Sequence, residues 1–254
     1  MSDHSFRKHV MEHTPAAICA RLAGGPSHSY LSDFVYGAID GTVTTFAIVA
    51  GVEGAALAAP VVCILGTVNL LADGFSMAAS NFLATRTERL ELEKARHTER
   101  EHIARFPEGE REEIRQVFAK KGFSGETLER IVEVITADEE RWVQTMLTEE
   151  LGLRLTSPSP WRAALTTFLA FVLVGLVPLL SYFLNALWPG LITSEFHMSC
   201  VLTAMTFFGV GALKSWFIHE PWYRTGMVTL TVGGIAAVVA YLVGYFLRQI
   251  LALP

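Results

Sequence analysis

Residues 54–72 contain no charged side chain, and neither do residues 163–194 or 225–247. Residues 196–213 are equally free of charge and carry only His197 near their edge. Crossing the hydrocarbon of a bilayer takes ~20 apolar residues in a helix. Residues 34–59 qualify as well, although they include Asp40 and Glu53. In lipid every backbone N–H and C=O must be satisfied within the segment, which makes helix the natural form of these runs. The chain is therefore expected to be an all-α membrane protein with five transmembrane helices, at about 34–58, 60–84, 162–184, 196–217 and 224–248.

The charges lie elsewhere. Of 20 Lys and Arg, 13 fall within residues 85–160, as do 17 of the 25 Asp and Glu. This concentration divides the sequence into an N-terminal segment (1–33), a first pair of spans (34–84), a charged helical insert (85–160) and three further spans (161–254). The net charge of −5 averages over unlike regions. Neither flank has a basic patch, which argues against nucleic acid as a partner and leaves the lipid bilayer as the expected surroundings. Arg7, Lys8 and Arg21 precede the first span, the insert is rich in both basic types, and Lys214 and Arg224 bracket the loop between the last two. Loops near Glu53 and Pro189 have none, so the positive-inside rule places the N-terminus and the insert in the cytosol, with Arg248 a mild exception. The first 25 residues lack the apolar run of a cleavable signal peptide. Cys19, Cys63 and Cys200 have neither the number nor the spacing of a disulfide framework or zinc site.

Ionisable groups inside spans are costly and commonly functional. Asp40 shares a helical face with Gly37, Gly41 and Thr44, and small residues there permit close helix approach beside hydroxyls that can line a polar path. In the second span Asn69, Asp73, Met77 and Ser80 form one stripe. Carboxylate oxygen together with thioether sulfur points to a transition metal rather than magnesium or calcium. Met77 alone is equally explained as an apolar filler, and Asp73 as a pairing group, with Arg86 as a candidate partner.

Within the insert, the helix of span two is expected to run on to a break at Pro107, followed by helices at about 108–121, 125–136 and 137–151. The apolar spacing of Ile114, Val117 and Phe118, then Leu128, Ile131, Val132 and Ile135, describes a small packed bundle. Glu99 and His102 are one turn apart, as are Glu110 and Glu113, and the break at Pro107 can fold the pairs together. Met146 and Glu150 share a face of the last helix. These six suit iron(II) or manganese(II), but a Glu-rich helix is also an ordinary solvated face, and the pattern leaves both readings open. A membrane-bound di-iron carboxylate oxidase would need two Glu-x-x-His elements, and the sequence offers one. A non-transporting metal sensor would not need Asp40 deep in a span.

The segments DGTVTTFAIVAGVEGA and NLLADGFSMAASNFLATRTE resemble the two signature stretches of the vacuolar iron transporter family, the CCC-type iron and manganese carriers. The similarity extends to the Glu-rich insert, to WVQTMLTEELGL at 142–153 and to the three C-terminal spans. The resemblance implies a homodimer with the ion path near the subunit interface, and export of Fe2+ or Mn2+ from the cytosol in exchange for protons. The ion is then bound and carried, with no prosthetic group. It implies a multi-pass protein of the inner membrane if bacterial, or of a vacuole-like membrane if eukaryotic. By motif, Asp40 and Met77 are the metal-handling pair in the path, and Glu99, Glu110, Glu113, Met146 and Glu150 are cytosolic ligands. Three positions depart from the pattern: His102 replaces a glutamate, Leu147 stands where a second methionine can follow Met146, and Asn69 stands where some relatives carry a carboxylate.

Overall fold

The computed structural model describes residues 13–24, 29–216 and 220–251, which leaves Arg7, Lys8 and the rest of residues 1–12 and 25–28 of the expected 1–33 segment outside the described residues. The described residues are helical, with no strand among them. In chain order the helices are α1 (Pro15–Gly24), α2 (Leu31–Gly54), α3 (Ala59–Arg105), α4 (Pro107–Lys120), α5 (Gly125–Thr136), α6 (Glu139–Thr145), α7 (Pro160–Gly175), α8 (Leu180–Leu187), α9 (Glu195–Lys214) and α10 (Trp222–Ile250). Five segments are long and apolar enough to cross a membrane: Leu31–Gly54, the apolar part of Ala59–Arg105, Pro160–Leu187, Glu195–Lys214 and Trp222–Ile250.

The chain divides into two compact units, Tyr30–Thr98 with Pro158–Pro254, and Met1–Ser29 with Glu99–Ser157. In the first, α2 is the central element and packs on α7, α9 and α10. The approach is backbone on backbone. A Cβ at Gly41 would lie 2.4 Å from the carbonyl oxygen of Phe171, and one at Gly244 would lie 2.1 Å from that of Gly51. Where lipid tails are as apolar as leucine, such small-residue contacts are a main source of helix association. Phe46, Val49, Val62, Phe171, Leu179 and Phe207 fill the core between them.

The third span is not one unbroken helix. Pro178 cannot donate a backbone hydrogen bond, and Val177–Leu179 form a 3₁₀ turn between α7 and α8, which carries the span on to Leu187. Ser199 on α9 donates to the carbonyl of Pro178 at 2.6 Å, so the break is satisfied from a neighbouring helix. Asp73 and Arg86 cannot pair along α3, because 13 residues of helix separate them by ~20 Å.

In the second unit, α3 ends at Arg105 because Phe106 precedes a proline and takes an extended φ of −134°, and Pro107 opens α4. Ser124 occupies the N-cap position of α5 without a side-chain cap bond. Asp138, which the sequence pattern did not single out, caps α6 by accepting from Arg141 N at 2.8 Å. The expected helix over 137–151 is shorter and changes character, with α6 passing into a π-helical turn at Met146–Glu150. Ile114, Val132, Ile135, Trp142 and Met146 form the core of this unit.

Candidate functional site

Three potential ligands converge where the break at Pro107 turns α4 back beside the end of α3. The ligand atoms of Glu99, His102 and Glu110 all lie within 4.8 Å of one another. Bonds of about 2.0–2.3 Å place two ligands of one ion at most ~4.6 Å apart, so a small adjustment brings these three into coordination. His102 Nδ1 lies 3.5 Å from Glu110 Oε1. Glu99 and Glu110 are each only 5% exposed, and the Oε2 atom of each is buried without a hydrogen-bond partner among the described residues. Leaving a buried acceptor unmatched costs about 1–3 kcal/mol, so an arrangement of this kind favours an incoming cation.

Electrostatics separate this group from a solvated acidic surface. Glu112 and Glu129 pair with Arg115, Glu140 with Arg100, and Glu149 with Lys121. Glu99, Glu110, Glu113 and Glu150 have no Arg or Lys partner among the described residues. Burial and the charges of Glu113 and Glu99 push the Glu110 carboxyl up to about 7, against the opposing pull of His102. Burial raises Glu99, with Glu113 adding to the shift. Glu150, at the exposed edge, is raised by partial desolvation and then by Glu113 and Glu99. Five of the six expected insert residues therefore act on one another. The sixth, Met146, is fully buried in the apolar core beside Ile114 and Trp142, and Leu147 is fully buried too. One histidine and its carboxylates do not make the paired Glu-x-x-His site of a di-iron oxidase.

Of the expected path residues, Asp40 on α2 is half-buried and lies within electrostatic reach of Asp73 on α3. Thr44 spends its hydroxyl proton on the carbonyl of Asp40 at 2.9 Å, leaving only acceptor capacity to a path. Asn69 is half-buried and its Nδ2 has no hydrogen-bond partner among the described residues, and Met77 packs at the margin of the core near α3's inner face. Asp73 is exposed on the outer side of α3, as are Ser76 and Ser80.

The sequence pattern missed a polar junction joining three spans. Asn81 Nδ2 donates to Asp33 Oδ1 at 3.0 Å and to Thr167 Oγ1 at 2.8 Å. Asn81 follows Met77 by four residues, so extending the polar stripe of span two one turn would have found it. Nothing in the local pattern marks Thr167.

A sequence model of the VIT family matches residues 31–245. A protein named vacuolar iron transporter from Toxoplasma gondii is 34% identical over 230 residues, covering 88% of this chain and 76% of its own. Vacuolar iron transporter 1 of Oryza sativa subsp. japonica is 30% identical over 219 residues, with 85% and 84% covered. The vacuolar iron transporter of Plasmodium falciparum is 28% identical over 225 residues, with 86% and 82% covered.

Proposed function

This chain belongs to the VIT family, and from that membership we propose that it carries iron(II) or manganese(II) out of the cytosol in exchange for protons. The relatives are named as transporters rather than as enzymes, and their names support iron as cargo. The observation that carries the reading is the convergence of Glu99, His102 and Glu110, with two unmatched buried carboxylate oxygens, in a chain with five apolar spans. Oxygen and imidazole nitrogen suit both ions. The metal is cargo, and no prosthetic group is needed. The distribution of Lys and Arg supports a cytosolic N-terminus and insert. The membrane is an inner membrane in a bacterium, or a vacuole-like one in a eukaryote.

In this mechanism the insert, with Glu113 and Glu150 beside the three converging ligands, collects the ion at the cytosolic mouth. The ion then passes to Asp73, Met77 and Asp40, with Thr44 and Asn69 along the path. Carboxylates must lose their protons to bind metal, so the ion and protons compete for the same groups, which is the simplest basis for exchange. A homodimer fits the exposed Asp73, since a carboxylate facing lipid costs several kcal/mol and a second copy would cover it.

The test is flux into proteoliposomes across a metal series, with and without a pH gradient. Asp40→Asn should abolish flux while the protein remains inserted and elutes unchanged from a sizing column. Undiminished flux through that variant would overturn the assignment of the path.

A further inference from the structure

The donors that converge in the insert are not of one kind. Glu99 and Glu110 offer carboxylate oxygens, and the Oε2 atom of each is buried without a hydrogen-bond partner among the described residues. His102 offers an imidazole nitrogen, with Nδ1 lying 3.5 Å from Glu110 Oε1. The three ligand atoms lie within 4.8 Å of one another, so one ion can take nitrogen and oxygen together. The His102 side chain is half-exposed and that of Glu110 is buried, which puts the imidazole on the water side of the group.

The sulfur expected from the sequence is spent elsewhere. Met146 is fully buried and belongs to the apolar cluster of Ile114, Val132, Ile135 and Trp142. No cysteine joins the converging group, and Glu113 and Glu150 carry only oxygen. Among the described residues, His102 is therefore the one member of that group that is not a carboxylate. The distinction matters for which ions are held. Oxygen ligands suit magnesium, calcium and manganese, whereas imidazole suits iron, nickel, copper and zinc. The negative excess of the insert attracts every cation alike and makes no such choice. Affinity rises from manganese(II) through iron(II) and cobalt(II) to nickel(II), and nitrogen donors climb that series more steeply than carboxylate oxygens do.

Granted the collecting role proposed above, on which this rests, we propose that His102 sets the metal preference of the insert. It holds iron(II) and the later first-row divalent ions ahead of manganese(II), and it keeps magnesium and calcium from occupying a site that carboxylates alone would leave open to them. Of the two ions proposed as cargo, the insert then favours iron(II).

The experiment is calorimetric titration of the full-length protein in detergent with Mn2+, Co2+ and Mg2+. Binding retained by the Glu99→Gln, Glu110→Gln double variant is subtracted, so that only the insert is read. The wild-type insert should bind Co2+ more tightly than Mn2+ and hold Co2+ against excess Mg2+. His102→Glu should keep Mn2+ binding while losing Co2+ affinity. The preference should narrow by about tenfold or more, since even the outer-shell partners of a metal ligand are worth about 10–100-fold in affinity. His97→Gln, five residues earlier on the same helix, is the control and should leave the preference unchanged. A Co2+ to Mn2+ ratio that His102→Glu does not move overturns the proposal. So does an equal loss of both ions, which is what a purely structural role for the ring would give. If the wild type binds no more metal than the double glutamine variant, the collecting role fails and the proposal with it. The ratio is read without transport, so absence of flux with the ratio responding as expected counts against the transport reading alone.

Discussion

At the scale of single residues, Glu110 is the insert carboxylate that its surroundings alter most. Its carboxyl is raised from an ordinary 4.5 to about 7. Between those values the folded, metal-free protein binds more protons at this group than the unfolded chain does, so its contribution to stability falls as pH rises from about 4.5 to about 7. Metal binding has the opposite sign, because the ion needs the ionised carboxylate. Thermal unfolding of the metal-free protein should therefore occur at lower temperature at pH 8 than at pH 6, with added Mn2+ stabilising more at pH 8. Glu110→Gln should flatten the metal-free trend and weaken Mn2+ binding by calorimetry; a metal-free melting temperature that rises with pH would contradict this. The one-turn spacing of Glu99 and His102 was readable from sequence, as was the break at Pro107 that turns Glu110 toward them. Their burial was not, because it depends on how separate helices pack. The same limit applies to Met146, whose spacing with Glu150 indicates a shared face but not that its side chain is taken into the core.

At the scale of elements, α2 sets the tolerances of the bundle. Gly41→Ala would force a methyl group to within 2.4 Å of the Phe171 carbonyl oxygen, and Gly244→Ala meets that of Gly51 at 2.1 Å. Each should destabilise the protein in detergent by about 1–3 kcal/mol, since overpacking moves whole helices. Gly234→Ala in α10 has nothing within 4 Å and should be neutral or stabilising by about 0.5–1 kcal/mol. Equal melting temperatures for the Gly41 and Gly234 variants would count against backbone contact as the determinant. Asn81→Ala should cost a similar 1–3 kcal/mol by removing the two bonds that Asn81 Nδ2 donates to Asp33 Oδ1 and Thr167 Oγ1. The small face around Gly37 and Gly41 was legible as periodicity, though its partner α7 was not. The break at Pro178 and the π turn at Met146 were illegible for a related reason. The first is stabilised by Ser199 from another helix, and the second lies at a core whose members come from four segments.

At the scale of the whole molecule, the outer side of α3 presents Ile64, Leu65, Val68, Leu71 and Phe75 beside Asp73 and Ser76. Apolar groups are at home in lipid, but Asp73 is not. If a second copy covers this side, Ser76→Cys should give an oxidative cross-link between protomers that the wild-type protein lacks. Failure to cross-link in the membrane, with flux retained, would place Asp73 against something other than its own counterpart. The separation of charge described for the insert has a further consequence. Residues 85–160 hold 17 acidic and 13 basic side chains, a net −4 out of the chain's −5. Such a net negative excess raises the local supply of cations within a Debye length, ~8 Å at physiological salt. Every divalent ion captured removes part of the field that attracted it. On the proposed reading the collector would be self-limiting: it would draw hardest when empty and relax its pull as it fills, so delivery would level off when metal surges on its side of the membrane.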